Sequence, residues 1–304
     1  MTSTAPVPSV PATPPAMPVV LHSYSLRDYS REHVFEVVRE GGWTHVELAA
    51  IHLNAGAAQE DLALAVAQAD AAGARIHCVG YWGQFADLGE ARRDTVERAR
   101  SVIEACAVHG ITLVNGSGGW LVHDPEPERW NADWRANGSA IATAADYERV
   151  ADAYRELADL ATPLGVRINI EIHPNTVHDT AAATARLLAL IDRPGVAVTV
   201  DPSNAAALSE ADRDPGVLDL LGDRATYFHV KNCTVAGGVA DFNTDVDRGL
   251  VDNDRWLAAM AGSGRCSGAC VEYCGDSDPH PYLTASRSYL GERMQGLAAT
   301  GAAA

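Results

Sequence analysis

The amino-acid sequence predicts an α/β protein that folds as a single (β/α)8 TIM barrel. Short apolar runs alternate with helical patterns eight times between residues 19 and 294. No change in composition marks a domain boundary along this stretch. Such alternation requires parallel strands joined by right-handed crossovers. The length of 304 residues fits two domains of about 150 residues, but it also fits one barrel of about 250 residues with extensions.

A doubly wound open sheet is the rival architecture, and the first strand argues against it. That fold usually carries a glycine-rich phosphate turn after its first strand. Here the strand leads into SLRDYS, which contains no glycine. The barrel is therefore the predicted fold.

In the amino-terminal half, four apolar runs each precede a helical pattern. Gly41, Gly73 and Gly110 follow the first three helices and are typical helix ends. The strand and helix pairs are 19–26 with 31–40, 44–48 with 58–72, 75–80 with 90–109, and 111–115 with 145–162. A long loop, residues 116–144, separates the members of the fourth pair.

In the carboxyl-terminal half, runs rich in β-branched residues again precede helical patterns. These pairs are 167–172 with 180–191, 196–201 with 215–221, 226–231 with 253–261, and 269–273 with 281–294. The eight units together predict a barrel over residues 18–296. Residues 1–17, rich in proline and small residues, predict a disordered leader, and the small residues 297–304 predict a flexible tail.

Composition excludes several classes of partner. The chain has 23 Lys and Arg against 40 Asp and Glu, a net charge of −17. This charge disfavours binding to nucleic acid and to anionic membranes, which both depend on cationic residues. No signal peptide and no apolar run of about 18 residues is present, so we predict neither export nor a membrane span.

Six cysteines are predicted to be free thiols, which favours a cytoplasmic location. Cys266, Cys270 and Cys274 follow a C-x3-C-x3-C pattern. This spacing is wider than the usual zinc-binding pairs. The sequence assigns these three thiols no role.

Four consecutive predicted strands end in ionisable side chains. They are Glu171, Asp201, His229 and Glu272. In such barrels the carboxyl ends of the strands form the active site, so these groups should meet in one place. Three carboxylates and one imidazole suit a divalent ion, with Mn²⁺ as first choice and Co²⁺, Mg²⁺, Fe²⁺ or Zn²⁺ as alternatives. Open positions on such an ion can take two substrate oxygens.

Several short motifs, taken in order, resemble one known superfamily. They are LHSYSLRD, HVELA, IEIHP, TVDPSN, FHVKN and CVEY, together with the turn at residues 248–252. The set is similar to the xylose-isomerase-like barrels, specifically the sugar phosphate isomerase/epimerase group with its ketose 3-epimerases and inosose dehydratases. The resemblance covers residues 19–296.

The resemblance implies a mechanism. One divalent metal would be held by Glu171, Asp201, His229 and Glu272, and Glu171 and Glu272 would also act as an acid/base pair on opposite faces of the substrate carbon. The expected function is a metal-dependent isomerase or epimerase that acts on a keto-sugar or related polyol through a metal-stabilised cis-enediolate.

Two positions depart from the pattern of many members. Asn204 stands where they have histidine, and Asn232 stands where they have aspartate. These changes leave the four ligands intact but bear on the substrate. His173, Lys231, Asn204, Glu47 and Trp120 are the predicted substrate-binding residues. Lys231 either orients a substrate oxygen or pairs with a glutamate.

The long loop after the fourth strand has two interpretations. It contains Trp120, His123, Trp130 and Trp134. It could form an aromatic lid over a glycosidic substrate, with His123 as an additional catalytic acid or base. It could equally pack as a loop or meet another subunit.

Elsewhere, Glu47 and His77 are expected at the mouth of the barrel, whereas His22 and His45 are expected as hydrogen-bonded groups inside the barrel.

The same scaffold admits other functions. A lyase is the main alternative, either a dehydratase of a keto-polyol or the catalytic subunit of a C-glycoside deglycosidase that cleaves a 3-keto-glycoside. The expected partners are a small carbohydrate substrate and a second copy of the chain, which a small β-sandwich subunit would replace if the C-glycoside reaction applies. An apurinic-site endonuclease is disfavoured by the charge. A non-catalytic binding protein is disfavoured by the intact ligand set.

Overall fold

Eight parallel strands close into a barrel in the computed structural model, which describes residues 17–123 and 133–301. The barrel strands are β1 (Val19–His22), β2 (His45–Leu48), β3 (Arg75–Gly83), β4 (Leu113–Gly118), β5 (Arg167–Glu171), β6 (Val196–Val200), β7 (Ala225–Val230) and β10 (Ala269–Val271). Between the last two lies an antiparallel hairpin, β8 (Thr234–Ala236) and β9 (Val239–Asp241). The predicted (β/α)8 fold is confirmed.

Helices follow the strands as predicted. They are α1 (Arg31–Gly41), α2 (Ala58–Ala71), α3 (Gly89–Val108), α4 (Ala144–Ala161), α5 (Ala181–Ile191), α6 (Pro202–Ala205), α7 (Leu218–Leu221), α8 (Asn253–Gly262) and α9 (Pro279–Gly301). Side-chain caps begin several of them: Ser30 caps α1, Thr180 caps α5, and Thr143 forms a reciprocal capping box with Asp146 at α4.

Several element boundaries differ from the prediction, among them that of β4, which spans Leu113–Gly118 and not residues 111–115. β1 ends at His22 because Ser23–Leu26 turns into a 3-10 helix, whose first turn is capped by the His22 ring. β3 continues past Gly80 to Gly83. α9 continues to Gly301 rather than ending at residue 294.

Barrel closure joins the two ends of the described chain. β1 pairs with β10 in parallel, with Val19 opposite Ala269 and Leu21 opposite Val271, and β10 in turn pairs with β7. The outer faces of the strands pack on the helices in one large apolar core, in which Phe228 stacks on the fully buried Trp256. This rigid ring fixes where each strand ends, and therefore where its terminal side chains lie.

Polar layers fill part of the barrel interior. Asn169 donates to the hydroxyls of Thr199 and Thr226 across the barrel. His77 stacks on Tyr227 with ring centres 5.6 Å apart. The expectation that His77 reaches the mouth was wrong, because it is the third residue of a strand that runs to Gly83 and so lies near the opposite end of the barrel.

Some expectations fall on residues that the structure does not describe. Residues 1–16 of the predicted leader, Trp130 and residues 302–304 lie outside the described ranges. All six cysteines are free thiols. Within residues 17–123 and 133–301, no helix combines the length and apolar character needed to span a membrane.

Candidate metal centre

The carboxyl ends of four strands bring the four predicted ligands into one cluster. Glu171 ends β5, Asp201 follows β6, His229 lies near the end of β7 and Glu272 follows β10. One donor atom from each lies within 4.8 Å of the others, and all four residues are buried. His229 Nδ1 is central, 3.3 Å from Glu171 Oε1 and 3.6 Å from Glu272 Oε2. Asp201 Oδ2 lies 3.8 Å from the same nitrogen.

The other ring nitrogen of His229 faces Glu47. Nε2 lies 3.0 Å from Glu47 Oε2, and since a carboxylate only accepts, Nε2–H donates this bond. Asn115 Nδ2 donates to the second oxygen of Glu47 at 2.8 Å. A carboxylate behind a ligating histidine fixes the ring and its tautomer. Here it leaves Nδ1 directed at the cluster.

This position corrects the expectation for Glu47. It was predicted to contact substrate, but its side chain is fully buried between Asn115 and His229 and does not line the cavity above the cluster. The reason is its position inside the barrel, where Asn115, His229 and His22 surround its carboxylate. Its role in this geometry is to orient His229.

Replacing Glu47 by glutamine is expected to weaken metal binding by about 10- to 100-fold, because the amide no longer holds the His229 ring with a full charge. Equilibrium dialysis with Mn²⁺ measures the dissociation constant. Glu60→Gln, an exposed change on α2, is the matched control. Equal affinities for both variants and the parent protein would show that Glu47 does not support the metal.

Lys231 lies at the edge of the cluster. Its ammonium group is 2.7 Å from Asp201 Oδ2 and also contacts Glu272 Oε2. Of its two predicted roles, the structure shows the pairing with a glutamate. Because Lys231 also lines the cavity, it connects the cluster with the space above it.

Asn204 and Asn232, the two departures from the family pattern, lie in different surroundings. Asn204 donates to Glu171 Oε1 at 3.2 Å, and its backbone N–H donates to Asp201 Oδ1 at 3.0 Å. It also lines the cavity, as expected for a substrate contact. Asn232 instead donates to the backbone oxygens of Val246 and Val251. Its amide braces a loop and does not face the cluster.

The charged groups of the cluster shift one another's pKa values. Against the cost of burial, His229 lowers the pKa of Glu171, and Lys231 lowers the pKa of Glu272. Burial raises the pKa of Asp201. The neighbouring carboxylates outweigh burial and raise the pKa of both His229 and Lys231. The buried carboxylates of the cluster therefore strongly favour positive charge beside them.

Sequence reasoning missed His22 as a member of this site. The residue ends β1, and its Nε2 lies 3.4 Å from Glu47 Oε1 and 3.7 Å from Glu272 Oε1. It was expected inside the barrel with satisfied hydrogen bonds; Nδ1 does accept from Tyr24 N, but Nε2 faces two carboxylates. The signal was available, because His22 ends its strand as the four predicted ligands do.

A cavity of about 870 Å³ lies above the cluster. Glu272, Lys231, Asn204 and His173 form part of its floor. One wall consists of three packed rings: Trp82 at the end of β3, Trp120 after β4 and His173 after β5, with ring centres 5.0–5.7 Å apart. The predicted contacts His173 and Trp120 thus share one wall with Trp82, which the sequence did not indicate.

The β8–β9 hairpin supplies the facing wall. It leads into Phe242, whose ring centre is 5.2 Å from Lys231 Nζ and which stacks on Trp134. Trp134 also lines the cavity. Because its side chain is buried in a small apolar cluster, its position fits the packing interpretation of the loop as well as the lid interpretation. Cys274 also lines the cavity, whereas Cys266 donates to Gly268 O near the opposite end of β10.

His123 does not reach this space. It is exposed, its backbone N–H donates to Asn137 Oδ1, and it is not among the described residues that line the cavity. Its predicted role as an additional acid or base therefore has no support in this geometry. The chain after Trp120 turns away because Leu121 pairs with Asn175 O and Gly138 N.

The residues present fit a divalent cation. His229 Nδ1 and Asp201 Oδ2 are buried without a hydrogen-bond partner within residues 17–123 and 133–301, although Lys231 lies close to the latter. Three carboxylate donors and one imidazole suit first-row divalent ions and Mg²⁺. Buried carboxylates at this density require a compensating cation. A single lysine and the imidazoles meet only part of that requirement.

Comparisons with known proteins agree with this architecture. The structure is similar to a xylose isomerase-like TIM barrel protein from Mycobacterium smegmatis in complex with magnesium (16% identity, TM-score 0.74, covering 92% of this chain and 97% of that one). It is also similar to the probable 3-DHS dehydratase AsbF from Bacillus anthracis (17% identity, TM-score 0.69, covering 90% of this chain and 99% of that one). A third similar structure is the 3-keto-D-glucoside 4-epimerase YcjR from E. coli (15% identity, TM-score 0.69, covering 91% of this chain and 99% of that one).

At these identities the similar structures show a shared fold. No sequence among curated proteins matches the chain significantly. Residues 35–293, most of the chain, match the profile of one family, described as "Xylose isomerase-like TIM barrel". The resemblance noted in the sequence is confirmed: the chain belongs to the xylose isomerase-like TIM barrel family.

Proposed function

We propose that this protein is a divalent-metal-dependent isomerase or epimerase that acts on a keto-sugar or related polyol. The observation that carries the proposal is the buried cluster of Glu171, Asp201, His229 and Glu272. Glu272 also lines the cavity. Two carboxylates of the cluster, Glu171 and Glu272, come from strands separated by β6 and β7 in the barrel. They can therefore approach one substrate carbon from two sides.

The cation and the two glutamates would have different roles in the reaction. A bound divalent cation, Mn²⁺ as first choice, would polarise the substrate carbonyl and so acidify the neighbouring C–H. One of Glu171 and Glu272 removes that proton, and the other returns a proton to the opposite face of the resulting enediolate. Asn204 holds Glu171 by its 3.2 Å hydrogen bond, and Lys231 holds Glu272. Both glutamates are thereby fixed before the substrate binds.

The test is proton exchange. Protein freed of metal by a chelator is incubated in D2O with a panel of keto-sugars, without metal and with Mn²⁺, Mg²⁺, Co²⁺, Fe²⁺ or Zn²⁺. Metal-dependent incorporation of deuterium next to a carbonyl, with an isomer or epimer as product, is expected by NMR. If no sugar in the panel exchanges with any of these metals, the proposal fails.

A lyase that acts on a keto-glycoside is the second candidate, and the size of the cavity favours it. Its volume of about 870 Å³ lies toward the upper end of the roughly 300–1,000 Å³ found for drug-sized ligands. A single sugar on the floor leaves the ring wall of Trp82 and Trp120 uncovered. An aglycone or second ring could occupy that wall. Loss of water or of an aglycone without an epimer would identify this reaction.

Trp82→Ala separates the two candidates. The side chain is 42% exposed at the wall, and we expect its loss to raise KM for a 3-keto-glycoside with an aromatic aglycone roughly tenfold, as expected for a lost aromatic contact. KM for a free keto-sugar should be unchanged. Steady-state kinetics measure both, with Trp82→Phe as the control that keeps a ring. Equal effects on both substrates would show that Trp82 does not contact an aglycone.

We further propose a cytoplasmic enzyme, which its six free thiols favour. Its assembly would be a homo-oligomer, or a complex with a small subunit if the C-glycoside reaction applies. Mass measurement of the purified protein, alone and after co-expression with neighbouring small open reading frames, distinguishes these states.

A further inference from the structure

Two histidines face each other on the protein surface, on helices that are distant in sequence. His33 lies in the first turn of α1 and His280 in the first turn of α9. Their Nε2 atoms are 3.1 Å apart. Both side chains are about one-third exposed. This pair lies outside the cavity and the carboxylate cluster described above.

Each histidine has a carboxylate at its other ring nitrogen. His33 Nδ1 lies 3.3 Å from Glu36 Oε2, and His280 Nδ1 lies 2.6 Å from Asp278 Oδ1. Because a carboxylate only accepts hydrogen bonds, both Nδ1 atoms carry the proton in the neutral rings. Both Nε2 atoms then present lone pairs to each other. Two lone pairs at this distance repel unless a cation lies between them.

The distance between the two nitrogens fits two imidazoles bound to one metal ion. With metal–nitrogen distances of about 2.0–2.1 Å, nitrogens 3.1 Å apart subtend an angle of about 100° at the ion. This angle lies between those of octahedral and tetrahedral coordination. The carboxylate behind each ring is the arrangement that commonly orients ligating histidines.

Tyr29 holds the pair in place. Its ring stacks on His33 with centres 4.6 Å apart, and it lies perpendicular to the His280 ring with centres 5.3 Å apart. The partial exposure of both histidines leaves room for water to complete the coordination. The donors are nitrogens, which suit Zn²⁺, Cu²⁺ and Ni²⁺ better than Mg²⁺.

We propose that His33 and His280 form a second metal site, which binds a transition-metal ion such as Zn²⁺ and is independent of the carboxylate-rich centre. Its ligands belong to the first and the last helix of the barrel. A bound ion would therefore link the two units that meet where β1 pairs with β10.

Zinc stoichiometry tests the proposal. Equilibrium dialysis of the full chain against Zn²⁺, followed by metal analysis, should give two equivalents for the parent protein and one each for His280→Gln and His33→Gln. His109→Gln, a histidine on another helix end, should keep two. Asp201→Asn alters the carboxylate-rich centre. This variant should still bind the zinc ion at His33 and His280, which is the ion that His280→Gln loses. The same zinc content in the parent protein and in both histidine variants would overturn the proposal.

Two further measurements keep the test independent of folding defects. Long-range ¹H–¹⁵N NMR should show both rings with protonated Nδ1, and Zn²⁺ should shift both Nε2 signals. Glu36→Gln should weaken the site by about 10- to 100-fold without removing a ligand. If NMR instead shows one imidazolium sharing a proton with the other ring and no response to Zn²⁺, the pair is a hydrogen bond and the proposal is wrong.

Discussion

Glu272→Gln is expected to lower the rate of substrate proton exchange by about 10²- to 10⁴-fold, the usual contribution of a positioned acid or base. The change keeps the shape of the side chain but removes the charge that proton transfer requires. Glu171→Gln should have an effect of similar size. Deuterium incorporation under saturating Mn²⁺ is the measurement, and Glu292→Gln on the exposed face of α9 is the matched control.

Folding and metal content must be measured on the same samples. Glu272 is itself a candidate metal ligand, so glutamine at this position is expected to lower metal affinity as well as exchange. Saturation with metal separates the two effects. A variant that retains full metal and full exchange would contradict the acid/base assignment, while one that loses exchange with metal bound supports it.

Gly116→Ala is expected to have the largest effect on stability. A Cβ at this position of β4 would lie 2.1 Å from the backbone oxygen of Tyr81 on β3. The barrel cannot relax this contact without separating two paired strands, so we expect a loss of about 3 kcal/mol or more in the free energy of unfolding. Denaturant unfolding followed by circular dichroism measures it.

The control for this substitution is Gly262→Ala, at the end of α8. Apart from the local backbone of the helix and the adjacent residues, no atom lies within 4 Å of the added methyl group there. Because alanine also favours the helix, unchanged or slightly increased stability is expected. If Gly116→Ala were as stable as the parent protein, the close approach of β3 and β4 would be wrong. The neighbouring Asn115, which holds Glu47, would then need a new account.

The periodicity of the sequence was enough to predict the barrel, and the barrel was enough to predict which residues meet. Glu171, Asp201, His229 and Glu272 each end a strand, and parallel strands of a barrel end at one face. No knowledge of side-chain geometry was needed for that step. The same logic applies to His22, which escaped notice because the apolar run was extended to residue 26 and hid the end of β1.

Other features depend on contacts that a linear pattern does not contain. Gly80 resembles a strand end, yet it marks the place where β3 passes close to the backbone of Ala49, and the strand continues to deliver Trp82. The strands of the β8–β9 hairpin have three residues each, too few for an alternating pattern to be recognised. The role of Glu47 follows from its position inside the barrel, which the sequence does not specify.

The order of the strands has a consequence for how the centre is acquired during folding. Glu272, the last of the four candidate ligands, follows β10, and β10 is the strand that fills the gap between β7 and β1. A nascent chain therefore carries an incomplete ligand set until its final strand has left the ribosome and docked. Completion of the metal site and closure of the barrel therefore occur together, late in folding. A cation bound there would in turn resist opening of the seam, since parting β10 from its neighbours removes a ligand.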